Sequence, residues 1–474
     1  MITLRRTIRR PPVLATLAAA TVLASLGISV VSVALPSLAT GFSASVSAVQ
    51  WVVLGYLVSV TVTIVIAGRL GDLFGHKRTL VAGLAIFTLA SVLSAASPTL
   101  MALIASRILQ GIGGAILIAL PVSMARGAVA KNRLGSAMGL LATMSAIGTS
   151  LGPSVGGFII AAIGWRATFI PLAGLGAVVL CLAVCTVPPD PDRDRQKSPS
   201  MDWPGALLLA LCLTSLALAT SGGSAGWSAG LLLLFSAATL ACLVIVETRT
   251  ASPLVPMAML RGAAATIPLG LSVLVATVMM STLAVGPFFL SFGLNLYDWQ
   301  VGLVMAVGPA MSALAGVPAG RLTDRFGARR IVLAGLALTF VGLICLAMFP
   351  RLFGTAGYVV ALILLTPGFQ LFLAANNTVV MASTAADQRG LVSGLLGLSR
   401  NLGFMAGASM MPMLFAATMA PAQITTAPPQ AVADAFTITF IAAAGGIFLA
   451  LLLATISHRK HAQESAAKLV PDAP

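Results

Sequence analysis

The sequence predicts an all-α membrane protein made of two six-helix bundles in tandem, with two further helices between them. Three observations carry that expectation. Hydrophobic residues make up 58% of the 474 and charged residues only 8%, at a mean hydropathy of +1.04. That is too little charge to cover a water-soluble globule of this size. The chain divides into fourteen apolar runs, each near the roughly 20 residues a helix needs to cross the hydrocarbon. Finally, one eleven-residue phrase occurs twice, as GRLGDLFGHKR at Gly68 to Arg78 and GRLTDRFGARR at Gly320 to Arg330, with seven identical positions and an offset of 252 residues. Two copies about half a chain apart mean two structural halves.

The predicted spans, numbered 1 to 14, lie at 13–35, 48–68, 79–97, 100–124, 134–162, 165–187, 204–220, 229–246, 265–290, 300–320, 330–349, 356–382, 391–417 and 432–456. An even number puts both termini on one side of the bilayer. With the amino terminus inside, 23 of the 27 Lys and Arg fall in inner segments, Arg166 and Arg351 fall outside, and Arg107 and Arg400 fall within spans. This asymmetry is the positive-inside pattern, so both termini are expected to be cytoplasmic. The net charge of +15 is thereby read as orientation and attraction to anionic membrane lipid, not as a nucleic-acid surface. The opening MITLRRTIRRPP imitates the start of a signal peptide, but its apolar run is longer than a signal core and it is read as a retained first span. The five cysteines lie in apolar runs without metal-ligand or CxxC spacing and are expected to be packing residues.

The repeat extends past the duplicated phrase. At an offset of 255, span 5 superposes on span 13, with Gly135, Gly139, Gly148 and Gly152 on Gly390, Gly394, Gly403 and Gly407. Six spans separate equivalent elements within a half, so the repeats share one orientation and are related about an axis along the membrane normal. The expected organisation is a bundle over 1–187, a linker and inserted hairpin over 188–264, a second bundle over 265–456 and a cytoplasmic tail over 457–474. Prolines and charges in PPDPDRDRQKSPSMDW, 188–203, mark the linker as solvated.

These residues resemble the major facilitator superfamily, in particular its fourteen-helix drug–proton antiporter branch, over nearly the whole chain. The loop signature Gly-x-x-x-Asp-x-x-Gly followed by basic residues is matched by Gly68, Asp72, Gly75, Lys77 and Arg78, and again by Gly320, Asp324, Gly327, Arg329 and Arg330. The antiporter signature of span 5 is filled by Gly139, Gly148, Gly152, Pro153, Gly156 and Gly157. Arg107, Gln110, Gly111 and Gly113 are similar to the family's intramembrane Arg signature, and Val33-Ala34-Leu35-Pro36 and Asp202-Trp203 with Gly205 are typical of the branch. One position departs: where the branch carries an Asp in span 1, nine residues before Pro36, this chain has Gly27.

The resemblance implies a latch in which Asp72 faces the start of span 13 near Asp387 to Leu391, and Asp324 the start of span 5. Unpaired N–H groups and the positive dipole end of a helix favour a carboxylate there. The alternative is a loop that only sets topology. Glycines at intervals of four in span 5 permit close helix approach, a structural role. Arg107 and Arg400 are the candidates for handling solute. A mid-span Arg costs about 2.5–3.5 kcal/mol on insertion scales and so faces a cavity or a partner, and the competing reading is a hydrogen-bonding hub. Gln110, Gln370, Asn376, Asn377 and Asn401 supply uncharged polar groups beside them, and Trp51, Tyr56, Phe372, Met279 and Met280 apolar walls.

None of the twelve acidic residues maps to the middle of a span. Arginine does not exchange protons at ordinary pH, which leaves Asp298, Asp434 or the solute itself as proton carrier. The solute is therefore expected to be neutral, zwitterionic or anionic. Gly148-Thr149-Ser150-Leu151-Gly152 fits the GxSxG of serine hydrolases, but all three histidines lie in cytoplasmic segments, and no HExxH or phosphate loop occurs. No enzyme activity, cofactor or metal is expected. The expected function is efflux of amphipathic compounds by proton antiport in the cytoplasmic membrane, direction and coupling being implied by the resemblance. The alternative is a facilitator or importer of a small organic solute.

Overall fold

The computed structural model describes residues 11–128, 134–189, 202–220, 229–250, 263–382, 389–419, 424 and 427–467. Among the described residues there are thirteen α-helices and no strand. They are α1 (Pro11–Gly41), α2 (Val46–Phe74), α3 (His76–Ala95), α4 (Leu100–Ala128), α5 (Leu134–Ile163), α6 (Phe169–Thr186), α7 (Trp203–Thr220), α8 (Ala229–Arg249), α9 (Ala263–Phe288), α10 (Asp298–Phe326), α11 (Ala328–Ala382), α12 (Arg389–Thr418) and α13 (Pro429–Ala467). At 55 residues α11 is too long for one crossing, and it breaks at Gly354, with φ 56° and ψ −134°. The loop expected between spans 11 and 12 is thus a single residue out of helical geometry, and the fourteen predicted spans survive within thirteen continuous helices. The expected linker, 188–203, falls almost wholly outside the described residues, whereas the expected tail begins as a continuation of α13, which runs to Ala467.

The chain forms two compact units, one of Met1–Leu254 with Leu296–Pro309, the other of Val255–Asn295 with Ala310–Pro474. In the first, α1 is apolar on all sides and enclosed, with Leu17, Ala20, Val31, Leu35 and Leu38 fully buried. An all-round apolar helix belongs inside such a bundle. Its main neighbour is α5, and the contact is made by missing side chains. A Cβ on Gly148 would lie 2.5 Å from the Val22 carbonyl oxygen, one on Gly152 would run into Ser29, and one on Gly156 would sit 3.0 Å from Val30. Gly157 faces another way, where its Cβ would lie 2.8 Å from Gly302 at the start of α10. The glycine signature therefore holds α5 against α1 on one side and α10 on the other.

The second unit repeats the device. Its α12 packs on α9 through Gly403, whose Cβ would meet Val273 and Ala276, and Gly407, whose Cβ would meet Thr277 and Met280. These are the glycines that the 255-residue offset pairs with Gly148 and Gly152, used in the same helix contact of the other half. The duplicated loop also repeats in backbone. Gly75 and Gly327 take φ values of 93° and 86°, a left-handed conformation that glycine adopts without Cβ strain and that the turns from α2 to α3 and from α10 to α11 require.

Also in the first unit, α7 and α8 pack on each other. Asp202 caps α7, its Oδ1 accepting from the Gly205 N–H at 2.9 Å. A Cβ on Gly205 would lie 2.6 Å from Asp202 Oδ2 and 2.9 Å from Glu247 Oε1 of α8, so the glycine makes room for two buried acids. The outer face of α8 is exposed leucine, including Leu231, Leu233 and Leu234, as a surface that meets lipid should be.

Candidate functional site

The sequence offers two intramembrane arginines, and the structure gives them opposite surroundings. Arg107, on α4 in the first unit, is fully buried. Its Nε donates to the Val52 carbonyl of α2 at 3.1 Å, its Nη1 to Gln110 Oε1, and its guanidinium stacks 4.3 Å from the centroid of the Tyr56 ring. Gln110 then donates to Ser91 Oγ of α3 at 2.7 Å, and Tyr56 donates to the Ala24 carbonyl of α1 at 3.4 Å. One charge thus ties four helices together, and neither Arg107 nor Gln110 is accessible to a solute.

The same cluster accounts for the departure at position 27. A Cβ on Gly27 would lie 2.8 Å from Phe87 Cζ and 3.8 Å from the Tyr56 hydroxyl, and Phe87 is itself fully buried. An aromatic ring fills the place where the resemblance would put a carboxylate.

In the second unit, α9, α11 and α12 line an open cavity of about 190 Å³. Ser272 and Ala276 line it from α9; Phe369, Phe372, Leu373 and Asn377 from α11; Leu396, Gly397 and Arg400 from α12. Nothing lies within 4 Å of a Cβ built on Gly397, so the absent side chain leaves space beside Arg400. Arg400 is exposed to this space. It lies twelve residues into the 30-residue α12, about 17 Å along its axis at 1.5 Å per residue. Asn376 is buried behind the wall, donating to the Pro268 carbonyl at 3.0 Å and to Ser272 Oγ at 2.8 Å, and so braces α11 on α9. Its neighbour Asn377 has no such bonds and faces the cavity. Gln370 and Asn401 are half-buried and do not contribute to the lining.

The described acids are placed near helix ends. Asp434 is paired with Arg351, both well exposed. Asp298 begins α10, where the helix dipole favours its charge, and its Oδ2 accepts from Ser37 Oγ at 3.2 Å. Ser37 follows Pro36 directly, so the Val-Ala-Leu-Pro run of α1 ends on this carboxylate. Asp324 is exposed in the last turn of α10, and Arg78 and Arg330 are exposed at the starts of α3 and α11. The carboxylate of Asp72 and the stretch around Asp387 expected to receive it lie outside the described residues, as do the surroundings of Gly68 and Gly139. Lys77 of the loop signature donates to the Val184 carbonyl at 2.8 Å and so caps the carboxyl end of α6. Sequence reasoning missed the juxtaposition of Asp202 and Glu247. The available signal was that both acids sit at the same end of a hairpin, one before α7 and one at the end of α8.

Comparison with known proteins supplies a frame for this geometry. A family model described as the Major Facilitator Superfamily matches residues 17–299 and 269–472. The chain is 29% identical over 433 residues to the riboflavin transporter RibZ of Clostridioides difficile, covering 91% of this chain and 94% of that protein. It is 29% identical over 394 residues to the multidrug resistance protein Stp of Mycobacterium tuberculosis, covering 82% and 72%. Against the tetracenomycin C resistance and export protein of Streptomyces glaucescens it is 28% identical over 425 residues, covering 85% and 76%. Among solved structures, the nucleoside transporter NupG superposes with a TM-score of 0.68 at 12% identity, over 94% of this chain and 99% of that one, a likeness of fold.

Proposed function

The chain belongs to the Major Facilitator Superfamily, and on that premise we propose that this multi-pass membrane transporter exports amphipathic drugs or metabolites by alternating access in the cell membrane, driven by proton antiport. One observation carries the reading: an otherwise apolar bundle keeps Arg400 and Asn377 open to a cavity within its helices. Polar groups at that depth are expensive and are kept where they pair with other helices, as Arg107 does, or face a cavity, as these two do. The multidrug resistance and export proteins among the relatives support the outward direction. Both termini are assigned to the cytoplasm on the distribution of basic residues.

Asp298 is the acid assigned to proton coupling. It is half-buried against Ser37, whereas Asp434 is held by Arg351 in an exposed pair. A second reading, a facilitator or importer without proton antiport, is favoured by the Phe87 ring at Gly27. Purified protein in oriented proteoliposomes, under imposed pH and voltage gradients, distinguishes the two. Antiport predicts solute flux that acidifies the lumen toward which protons run. Flux that is indifferent to the pH gradient supports facilitation.

A further inference from the structure

We infer that Arg400 is the counter-charge of an anionic solute, and that the cavity of the second unit takes the acidic group of a one- or two-ring aromatic acid. The inference rests on the transport reading above and narrows its substrate class. Its first observation is the contrast between the two arginines. Arg107 has a carbonyl, an amide and an aromatic face around it. Arg400 has no hydrogen bond or ion pair among the described residues, although it stands well inside a membrane helix and opens on a cavity. A charge that far along a membrane helix is kept where it faces a cavity or a partner.

The second observation is that the helices around the cavity supply none. The three helices that wall the cavity, α9, α11 and α12, contain no Asp or Glu. The missing negative charge must arrive with the solute. A cation there would meet an unscreened like charge, and a neutral solute would leave the guanidinium uncompensated.

The rest of the wall defines what carries the anion. Phe369, Phe372 and Leu396 are apolar, and Asn377 offers one neutral donor and acceptor. A guanidinium binds a carboxylate by two parallel hydrogen bonds, which orients the ring of an aryl acid along the phenylalanines. At about 190 Å³ the cavity is below the roughly 300 Å³ at which pockets for drug-sized ligands begin, so it receives a small ring system or one end of a larger molecule.

Three probes of one shape test this: 1-naphthoate, 1-naphthamide and (1-naphthylmethyl)trimethylammonium, titrated calorimetrically into the full-length protein in lipid nanodiscs. The acid is expected to bind at least tenfold more tightly than the amide, and the quaternary cation more weakly than either. Arg400→Gln is expected to reduce the preference for the acid over the amide to less than twofold, while Arg400→Lys retains part of it. Equal affinity for acid and amide, tighter binding of the cation, no binding of the acid, or an unchanged preference in Arg400→Gln overturns the inference. The wild-type comparison decides even where the variant does not fold. Proteoliposomes that move neutral or cationic compounds but not the acid refute this inference and leave transport standing; those that move no compound refute both.

Discussion

Replacing Arg107 by Gln separates a structural brace from a solute-binding group. The substitution removes the Nε bond to the Val52 carbonyl and the stacking on Tyr56, and leaves one neutral hydrogen bond within reach of Gln110. Hydrogen bonds to a charged group contribute about 1.5–3 kcal/mol each, and a desolvated cation–π contact about 2 kcal/mol. Against this, the neutral side chain avoids the roughly 2.5–3.5 kcal/mol of placing a charge at that depth, and the retained neutral bond contributes about 1 kcal/mol. The balance is a loss of about 2 kcal/mol of stability, with no loss of solute affinity, because Arg107 is fully buried. The assay is the fraction of detergent-solubilised protein that stays monodisperse after graded heating, read beside solute binding by the surviving protein. Arg107→Lys should fare no better, since an ammonium provides neither the planar fork nor the stacking face. A variant as stable as the wild type but more than tenfold weaker in binding would refute the reasoning and return Arg107 to the solute pathway.

Three further outcomes are expected. Gly152→Ala should destabilise by about 1–3 kcal/mol, the usual penalty of overpacking, because its Cβ meets Ser29 and lies 2.7 Å from the Val30 nitrogen; heating midpoints in detergent report it, and an unchanged midpoint would mean that α5 and α1 separate freely. Asp298→Asn should abolish substrate-dependent proton movement in proteoliposomes while solute counterflow persists, and proton movement at the wild-type rate removes this residue from the coupling path. Asp72→Asn should lower transport several-fold at unchanged membrane insertion, measured by uptake normalised to protein amount, and undiminished transport speaks against a latch.

The bundles were legible because the code for them is local and repeated. Apolar run length marks each helix, and glycine spacing marks the faces that approach closely, so Gly148 and Gly152 match Gly403 and Gly407 on sequence alone. Sequence depth, by contrast, treated Arg107 and Arg400 alike. What distinguishes them is supplied by other helices: Val52 and Tyr56 on α2 beside one, and an open wall of α9 and α11 beside the other. Asn376 and Asn377 show the same limit within a single helix, since adjacent residues point about 100° apart and only the position of α9 decides which is the brace. The Gly27 substitution was visible, but its reason was not, because Phe87 lies 60 residues away on α3.

The guanidinium of Arg400, without a partner among the described residues, also bears on how membrane voltage acts on the proposed cycle. Arginine keeps its proton across the physiological range, so the vacant site carries one positive charge and the site holding a monoanion carries none. A potential negative inside exerts about 2.3 kcal/mol per charge per 100 mV across the full field. It therefore leaves the loaded step nearly untouched and draws the vacant site toward the cytoplasm, ready for the next molecule to be expelled.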